Sequence, residues 1–293
     1  MPRPFVRYVG VDLGGARGKT TAVARLSRRA DGTVQVDDVS TRCHGEPWRD
    51  DTLADQLAAV GADAVVAIDA PLTAPACARC VVPACPGVDA CVDPAVAWLR
   101  DEGRALGEAE QESALAGRGA AMRAVTSRRS RSSRSGPRLL PYAHRATEVV
   151  ACFEQGLLPA TALGSSVGQV AARAHHLVRR LAGAGLALHE RLIEVSPQAT
   201  VAALLGPRLA RGYKRDADPW ETRATILEAM PDLVFAPQSR LAREDTLQND
   251  HCFEALLAGY TAYLWARDDW QRPPAWRDAL ASDGWIFTPP RRA

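Results

Sequence analysis

The chain has 293 residues, of which 47% are hydrophobic and 24% are charged, and its formal net charge is +2. This length and apolar content can bury a large core, which excludes a disordered or fibrous chain and predicts one domain over residues 1–293. The sequence contains neither an apolar stretch long enough to cross a bilayer nor an apolar leader, so we expect a cytoplasmic protein that does not enter a membrane.

The first quarter of the chain predicts the element order βββαβ. Three strands are expected over residues 5–13, 18–27 and 33–39, with a glycine-rich turn after the first and the hairpin signal Asp31-Gly32 after the second. TLADQLAAVGA then has helical spacing, and ADAVVAIDAP is a continuous apolar strand of the kind buried in a parallel sheet. We therefore predict an α/β fold with a mixed sheet, in which an antiparallel meander precedes parallel strands flanked by helices.

Two insertions are predicted next. Residues 74–94 are rich in cysteine and precede a predicted helix over residues 94–106, and residues 117–138 are predicted to form an Arg-rich flexible loop. No acidic residue lies between Glu112 and Glu148, an interval that contains eight arginines. Such a segment can order on a polyanion such as nucleic acid, or it can be a solvated loop in a chain that uses Arg in place of Lys.

Helices dominate the rest of the chain. They are predicted near residues 142–155 and 166–184. A fifth strand is predicted in HERLIEVS, and a helix that starts at Pro197 follows it. Two further helices are predicted in DPWETRATILEAM and from about Asp250 to Arg267.

Acidic residues lie at the ends of the predicted core elements. Asp12 is the last residue of the first predicted strand, and Asp69 is at the end of the fourth. Asp250, His251 and Glu254 lie in the first turns of the last predicted helix, at a spacing that places them on one helical face. If that helix abuts the strand ends, the carboxylates converge, and hard cations such as Mg²⁺ or Mn²⁺ bind such oxygen ligands. Two ions roughly 4 Å apart can activate a water and stabilise the leaving oxygen of a phosphodiester.

This pattern resembles the RNase H-like superfamily. More narrowly, the chain resembles a family of uncharacterised domains described as predicted nucleases of RNase H fold, with the match spanning residues 5–268. The segments that carry this resemblance are GVDLGG, VAIDAPL, YAHRATE, EVSPQAT and DHCFEALLAGYTAYL. The resemblance implies an RNase H-like mixed sheet and a nuclease that acts on nucleic acid.

The Holliday-junction-resolvase branch of that superfamily holds metal with a strand-one Asp, a Glu after strand four and a D/H-x-x-D pair on the last helix. Carried over by position, the resemblance implies that Asp12, Asp69, His251 and Glu254 are metal ligands, with Asp250 beside them as a further catalytic acid. Asp69 stands where that branch has Glu, and Glu254 where it has Asp.

Each of these residues also has a structural interpretation. Asp12 and Asp69 can make turns, and Asp250 can be a helix N-cap. Glu194, at the end of the fifth strand, is either a further ligand or a solvated residue beside a capping Ser196.

Three residues are candidate substrate contacts. Arg145 and Glu148, within YAHRATE, can bind substrate phosphate or orient a ligand, or they can form an intrahelical ion pair. Lys19 can contact a phosphate or be an exposed strand lysine.

A second function stays open. The hairpin GGARGKTTA resembles the first phosphate-binding turn of the sugar-kinase, actin and Hsp70 superfamily, which implies an ATP-binding phosphotransferase or ATPase. No second hairpin of this type follows in the sequence. A nucleic-acid-binding protein without a working centre is the third alternative.

Four cysteines fall within fifteen residues in CARCVVPACPGVDAC, namely Cys77, Cys80, Cys85 and Cys91. Four thiolates can close a Zn²⁺ site or hold a [4Fe-4S] cluster. Reduced thiols that pack the loop are the alternative, since seven cysteines in a cytoplasmic chain do not indicate a disulfide framework.

Overall fold

The structure is a computed structural model that describes residues 1–15, 20–103, 105–106, 139–157, 167–236 and 240–290, with the backbone alone for residues 240–242. The predicted Arg-rich loop at 117–138 and the candidate substrate contact Lys19 lie outside the described residues.

Nine strands are present in this part of the chain. In chain order they are β1 Arg7–Asp12, β2 Ala22–Arg28, β3 Val34–Ser40, β4 Arg42–Cys43, β5 Glu46–Pro47, β6 Ala64–Asp69, β7 Leu192–Val195, β8 Leu233–Phe235 and β9 Ile286–Phe287.

The described part of the chain also contains α-helices. They are α1 Asp50–Ala58, α2 Pro94–Trp98, α3 Ala146–Glu154, α4 Gly168–Ala182, α5 Pro197–Leu205, α6 Pro207–Arg215, α7 Pro219–Glu228, α8 Arg240–Gln248, α9 Asp250–Asp268 and α10 Pro274–Arg277.

Seven of these strands form one mixed sheet in the order β8-β3-β2-β1-β6-β7-β9. β1, β2 and β3 pair antiparallel, and β6, β7 and β9 continue from β1 in parallel. The hairpin residues between the first three strands force the antiparallel part, because short turns cannot make a parallel crossover. The predicted α/β fold with a meander followed by parallel strands is confirmed.

The two faces of the sheet are covered by different helices. α9 packs across β1, β2 and β6, and its residues Cys252 to Ala266 are all buried. On the opposite face, α1 and α4 cover the apolar side chains of β1 and β6, including Val9, Val11 and Ile68. Since β1 and β6 are enclosed on both faces, their sequences are nearly continuously apolar.

Gly10 allows α9 to lie directly on β1. A Cβ atom at Gly10 would overlap the backbone oxygen of Ala255 and the backbone nitrogen of Gly259 in α9. The absence of side chains at Gly10 and Gly259 therefore brings the helix against the strand backbone, and it sets the position of the first turn of α9 relative to the end of β1.

Several predicted boundaries shift. The helix predicted over 94–106 is α-helical only to Trp98 and continues as a π-helical turn, Leu99–Gly103. α6, α8 and the strands β8 and β9 are elements that the sequence did not predict.

No helix in the described part of the chain has both the length and the apolar character needed to span a bilayer.

Candidate metal centre

Asp12, His251 and Glu254 converge at the carboxyl end of β1. Each offers one ligand atom, and these three atoms all lie within 4.8 Å of one another. His251 Nδ1 lies 2.5 Å from Asp12 Oδ2. Asp12 and Glu254 are buried, while His251 is partly exposed, so the group is accessible from one side.

The ends of two elements position these side chains. Asp12 is the last residue of β1, and His251 and Glu254 lie one turn apart on α9. The side chain of Asn249 caps this helix by accepting the backbone N–H groups of His251 and Cys252. Asn249 therefore fills the N-cap role considered for Asp250, and the cap fixes where the first turn begins.

Asp69 lies beside this group. It is the last residue of β6 and is paired with Asp12 in the parallel register of the two strands. Burial raises the pKa of Asp69 well above its usual value, and the negative charges of Glu254 and Asp12 raise it further. Burial also raises the pKa of Glu254, where Lys214 opposes the rise and Asp12 adds to it. The carboxylates are thus close enough to repel one another.

Asp250 is separate from the three converging residues. It lies in the first turn of α9 and is partly buried, and its charge helps to raise the pKa of His251 after the larger effect of Asp12. A direct catalytic role for Asp250 stays a prediction.

Two residues of α6 complete the surroundings of Glu254. The Tyr213 hydroxyl donates to Glu254 Oε1 at 2.8 Å, and Lys214 Nζ lies 2.6 Å from the same oxygen. Burial alone would lower the pKa of Lys214, but Glu254 outweighs it and the pKa is raised. Sequence reasoning missed both residues, although Lys214 is one of only two lysines in the chain.

Arg145 is enclosed in a buried ion-pair network. Its side chain is bonded to Glu148 on the same helix, to Glu194 at the end of β7 and to the Thr73 hydroxyl. Arg145 is 0% exposed and Glu148 only 4%. This geometry supports the ion-pair interpretation over the predicted contact of Arg145 and Glu148 with substrate, because the guanidinium presents no surface to a ligand.

The same buried ion-pair network includes Glu194. Besides Arg145, its carboxylate accepts the backbone N–H of Leu72 at 2.9 Å, so Glu194 fixes the chain that follows β6 rather than lying in solvent. Ser196 caps α5 as the sequence indicated.

A basic cleft of about 640 Å³ opens at the same end of β1. Its charged lining residues are Arg42, Arg49, Arg173 and Asp50, and Gly15, Thr20 and Thr21 line it as well. Thr21 precedes Ala22, which pairs with Asp12 across β1 and β2. The Arg173 guanidinium donates to the carbonyl of Gly14 and to the Thr21 hydroxyl, which ties α4 to the glycine turn.

The cysteine segment is exposed and its thiols are free. Cys77, Cys80 and Cys85 are exposed and Cys91 is half-buried. Burial raises the pKa of Cys77, and the neighbouring thiols of Cys91, Cys85 and Cys80 add to the rise. The possible metal-binding group found among the described residues does not include these four thiols, so a Zn²⁺ site or [4Fe-4S] cluster here stays a prediction.

The Asp12, His251 and Glu254 group suits a divalent cation. Crowded carboxylates are stabilised when a cation joins them. Burial is the largest cause of the raised pKa values of Glu254 and Asp69, and the charges of neighbouring carboxylates raise both further. Carboxylate oxygens favour Mg²⁺ and Mn²⁺, and the imidazole favours a transition metal. The donor set therefore fits Mn²⁺ or Mg²⁺.

Comparison with known proteins identifies a family. A family model described as Protein of unknown function (DUF429) matches residues 10–279. The curated proteins and the solved structures that were compared with the chain gave no match. The matched span includes Asp12, Asp69 and the whole of α9, so it contains every residue of the centre.

Proposed function

Because the chain belongs to the Protein of unknown function (DUF429) family, whose description gives no activity, we propose from its geometry that it is a metal-dependent phosphodiester hydrolase, a nuclease of RNase H-like type. One observation carries the proposal, namely the convergence of Asp12 with His251 and Glu254 from opposite ends of the sequence. Residues 239 positions apart make a direct contact.

The roles follow from the positions of the side chains. Asp12, His251 and Glu254 would hold Mg²⁺ or Mn²⁺, which in such a centre lowers the pKa of bound water and stabilises charge on a phosphate. Asp69, with its raised pKa, is placed beside Asp12 to hold or release a proton. Tyr213 and Lys214 orient Glu254 through its Oε1 atom.

The basic cleft supports a polyanionic substrate. Arg173 in its lining is paired with Asp50, so Arg42 and Arg49 supply the excess positive charge, and arginine side chains bind phosphate through paired N–H groups. Since the cleft adjoins the turn that follows β1, a nucleic-acid strand bound there would reach the carboxyl end of β1, where Asp12 lies. We infer that the substrate is nucleic acid.

Cleavage of labelled DNA and RNA, in single and double strands, tests this function with Mn²⁺ or Mg²⁺ and with chelator. We expect metal-dependent cleavage that Asp12→Asn lowers by at least about a hundredfold, a typical effect of losing an essential catalytic group. The control is Asp268→Asn, an exposed acid at the far end of α9, which should cleave like the wild type. If Asp12→Asn folds normally and cleaves as fast as the wild type, the proposal is wrong.

The nucleotide-binding alternative relies on the same cleft. Gly15, Thr20 and Thr21 line it beside the glycine turn, a place where backbone N–H and hydroxyl groups can meet phosphates. An ATP-binding protein would gain thermal stability with Mg²⁺ and ATP, and it would hydrolyse ATP without cleaving nucleic acid. That result would favour the alternative over the nuclease.

A further inference from the structure

We propose that the centre holds one divalent ion, and that the ammonium group of Lys214 takes the place of a second cation. This inference rests on the proposed function, since it describes the same centre. It departs from the two-ion arrangement expected for carboxylate phosphodiesterases.

The bonding of Glu254 carries the first step. A carboxylate oxygen has two lone pairs, and Glu254 Oε1 already accepts the Tyr213 hydroxyl at 2.8 Å and contacts Lys214 Nζ at 2.6 Å. Oε2 is the oxygen that remains for a metal ion. With Oε1 committed to Tyr213 and Lys214, Glu254 cannot place one oxygen on each of two ions, and the ammonium of Lys214 makes the contact that a second cation would make.

The position of Lys214 is fixed by its neighbours. Tyr213, the preceding residue, is 0% exposed, and its ring packs 5.2 Å from that of Phe253 in α9. The backbone oxygen of Tyr213 also accepts a bond from Arg223 Nε at 3.0 Å. The last turn of α6 is thereby anchored to α7 and α9, which places Lys214 beside Glu254, where its side chain is 42% exposed and its ammonium contacts the carboxylate.

The net charge of the side chains around the centre also favours a single divalent ion. Asp12, Asp69 and Glu254 contribute at most three negative charges, the third only when Asp69 has released its proton, and Lys214 contributes one positive charge, while His251 is neutral when it ligates a metal. One divalent ion balances the remainder, whereas two ions would leave an excess of positive charge in a largely buried site. Glu194, the next carboxylate along the sheet, is already bonded to Arg145, so it does not offset that excess.

Mn²⁺ binding measured by electron paramagnetic resonance and by calorimetry tests the inference without any substrate. We expect the wild type to bind one ion that Asp12→Asn removes. Lys214→Met should bind a second Asp12-dependent ion, or bind the first at least about tenfold more tightly, because a repelling charge is gone. Lys214→Arg keeps the charge and should bind one ion.

The matched control is Arg215→Met, which removes the adjacent exposed cation of α6 and should leave Mn²⁺ binding unchanged. Thermal unfolding shows whether each variant is folded. Two Asp12-dependent ions in the wild type, or wild-type binding in a folded Lys214→Met variant, overturn the role of Lys214 while leaving the proposed function in place. Absence of any Asp12-dependent ion overturns both.

Discussion

Gly10 of β1 and Gly259 of α9 face each other with no side chain between the two backbones. This approach places the first turn of α9 at the carboxyl end of β1, so that His251 and Glu254 reach Asp12. The two glycines, which have no functional side chains, thus help to position the three possible metal ligands.

Gly10→Ala is expected to separate the helix from the strand. The new Cβ meets backbone atoms of Ala255 and Gly259, which cannot rotate away, and such overpacking costs about 3 kcal/mol of the free energy of unfolding. Mn²⁺ affinity should fall with it. Urea denaturation and Mn²⁺ titration measure the two effects.

The control for this variant is Gly183→Ala. Gly183 has a helical φ of −66°, and a Cβ there lies 3.6 Å from the oxygen of Arg180, an ordinary contact. Its stability should stay near that of the wild type. Equal stability of the two variants would contradict the close approach of α9 and β1.

Arg145→Met is expected to destabilise the protein strongly. The change leaves the buried carboxylates of Glu148 and Glu194 without their cation, and breaking a buried pair in this way costs about 3–5 kcal/mol. Chemical denaturation measures the loss. Arg29→Met is the control, because its pair with Asp31 is exposed and such pairs contribute at most about 1 kcal/mol. A similar small loss for Arg145→Met would argue against a structural role.

The cysteine segment is expected to hold a metal through Cys77, Cys80, Cys85 and Cys91. Elemental analysis of the purified protein should find about one zinc per chain, and visible absorption would indicate a [4Fe-4S] cluster instead. Cys77→Ser should lose the metal, whereas Cys152→Ser, outside the segment, should retain it. Metal-free wild-type protein purified without chelator would leave the segment as a loop of reduced thiols.

Stability is expected to fall in acid partly through His189. Burial lowers the pKa of His189 to about 4, and Arg272 adds to the shift. An unfolded histidine titrates near 6.5, so between these values the unfolded chain binds more protons than the folded one. As the pH falls from 6.5 to about 4, His189 therefore removes up to about 3 kcal/mol of stability.

His189→Asn tests this directly, since Asn tolerates the positive φ of 69° at this position. Its free energy of unfolding, measured by denaturation at pH 7.5 and 4.5, should differ less between the two pH values than that of the wild type. His176→Asn changes an exposed histidine and should behave as the wild type does. Identical pH dependence in all three proteins would contradict the assignment.

The sequence predicted the sheet well because its signals are local. Alternating turns and apolar runs fixed β1, β2, β3 and β6, and their short connections decided which pairs are antiparallel. The elements that it missed carry weaker patterns. α6, with the sequence PRLARGYKR, is short and largely polar, and its apolar face consists only of Leu209, Ala210 and Tyr213, which is too few residues for their spacing to predict a helix that contacts the core.

By itself, the amino-acid sequence determined the α/β class, the carboxylates at the ends of β1 and β6 and the acidic start of α9. Only the tertiary structure decided which of these groups meet, that Glu194 joins the pair of Arg145 and Glu148, and that Tyr213 and Lys214 bind Glu254. The physical reason is that charge and periodicity are properties of neighbouring residues, whereas a partner 40 or more positions away is set by how helices pack on the sheet.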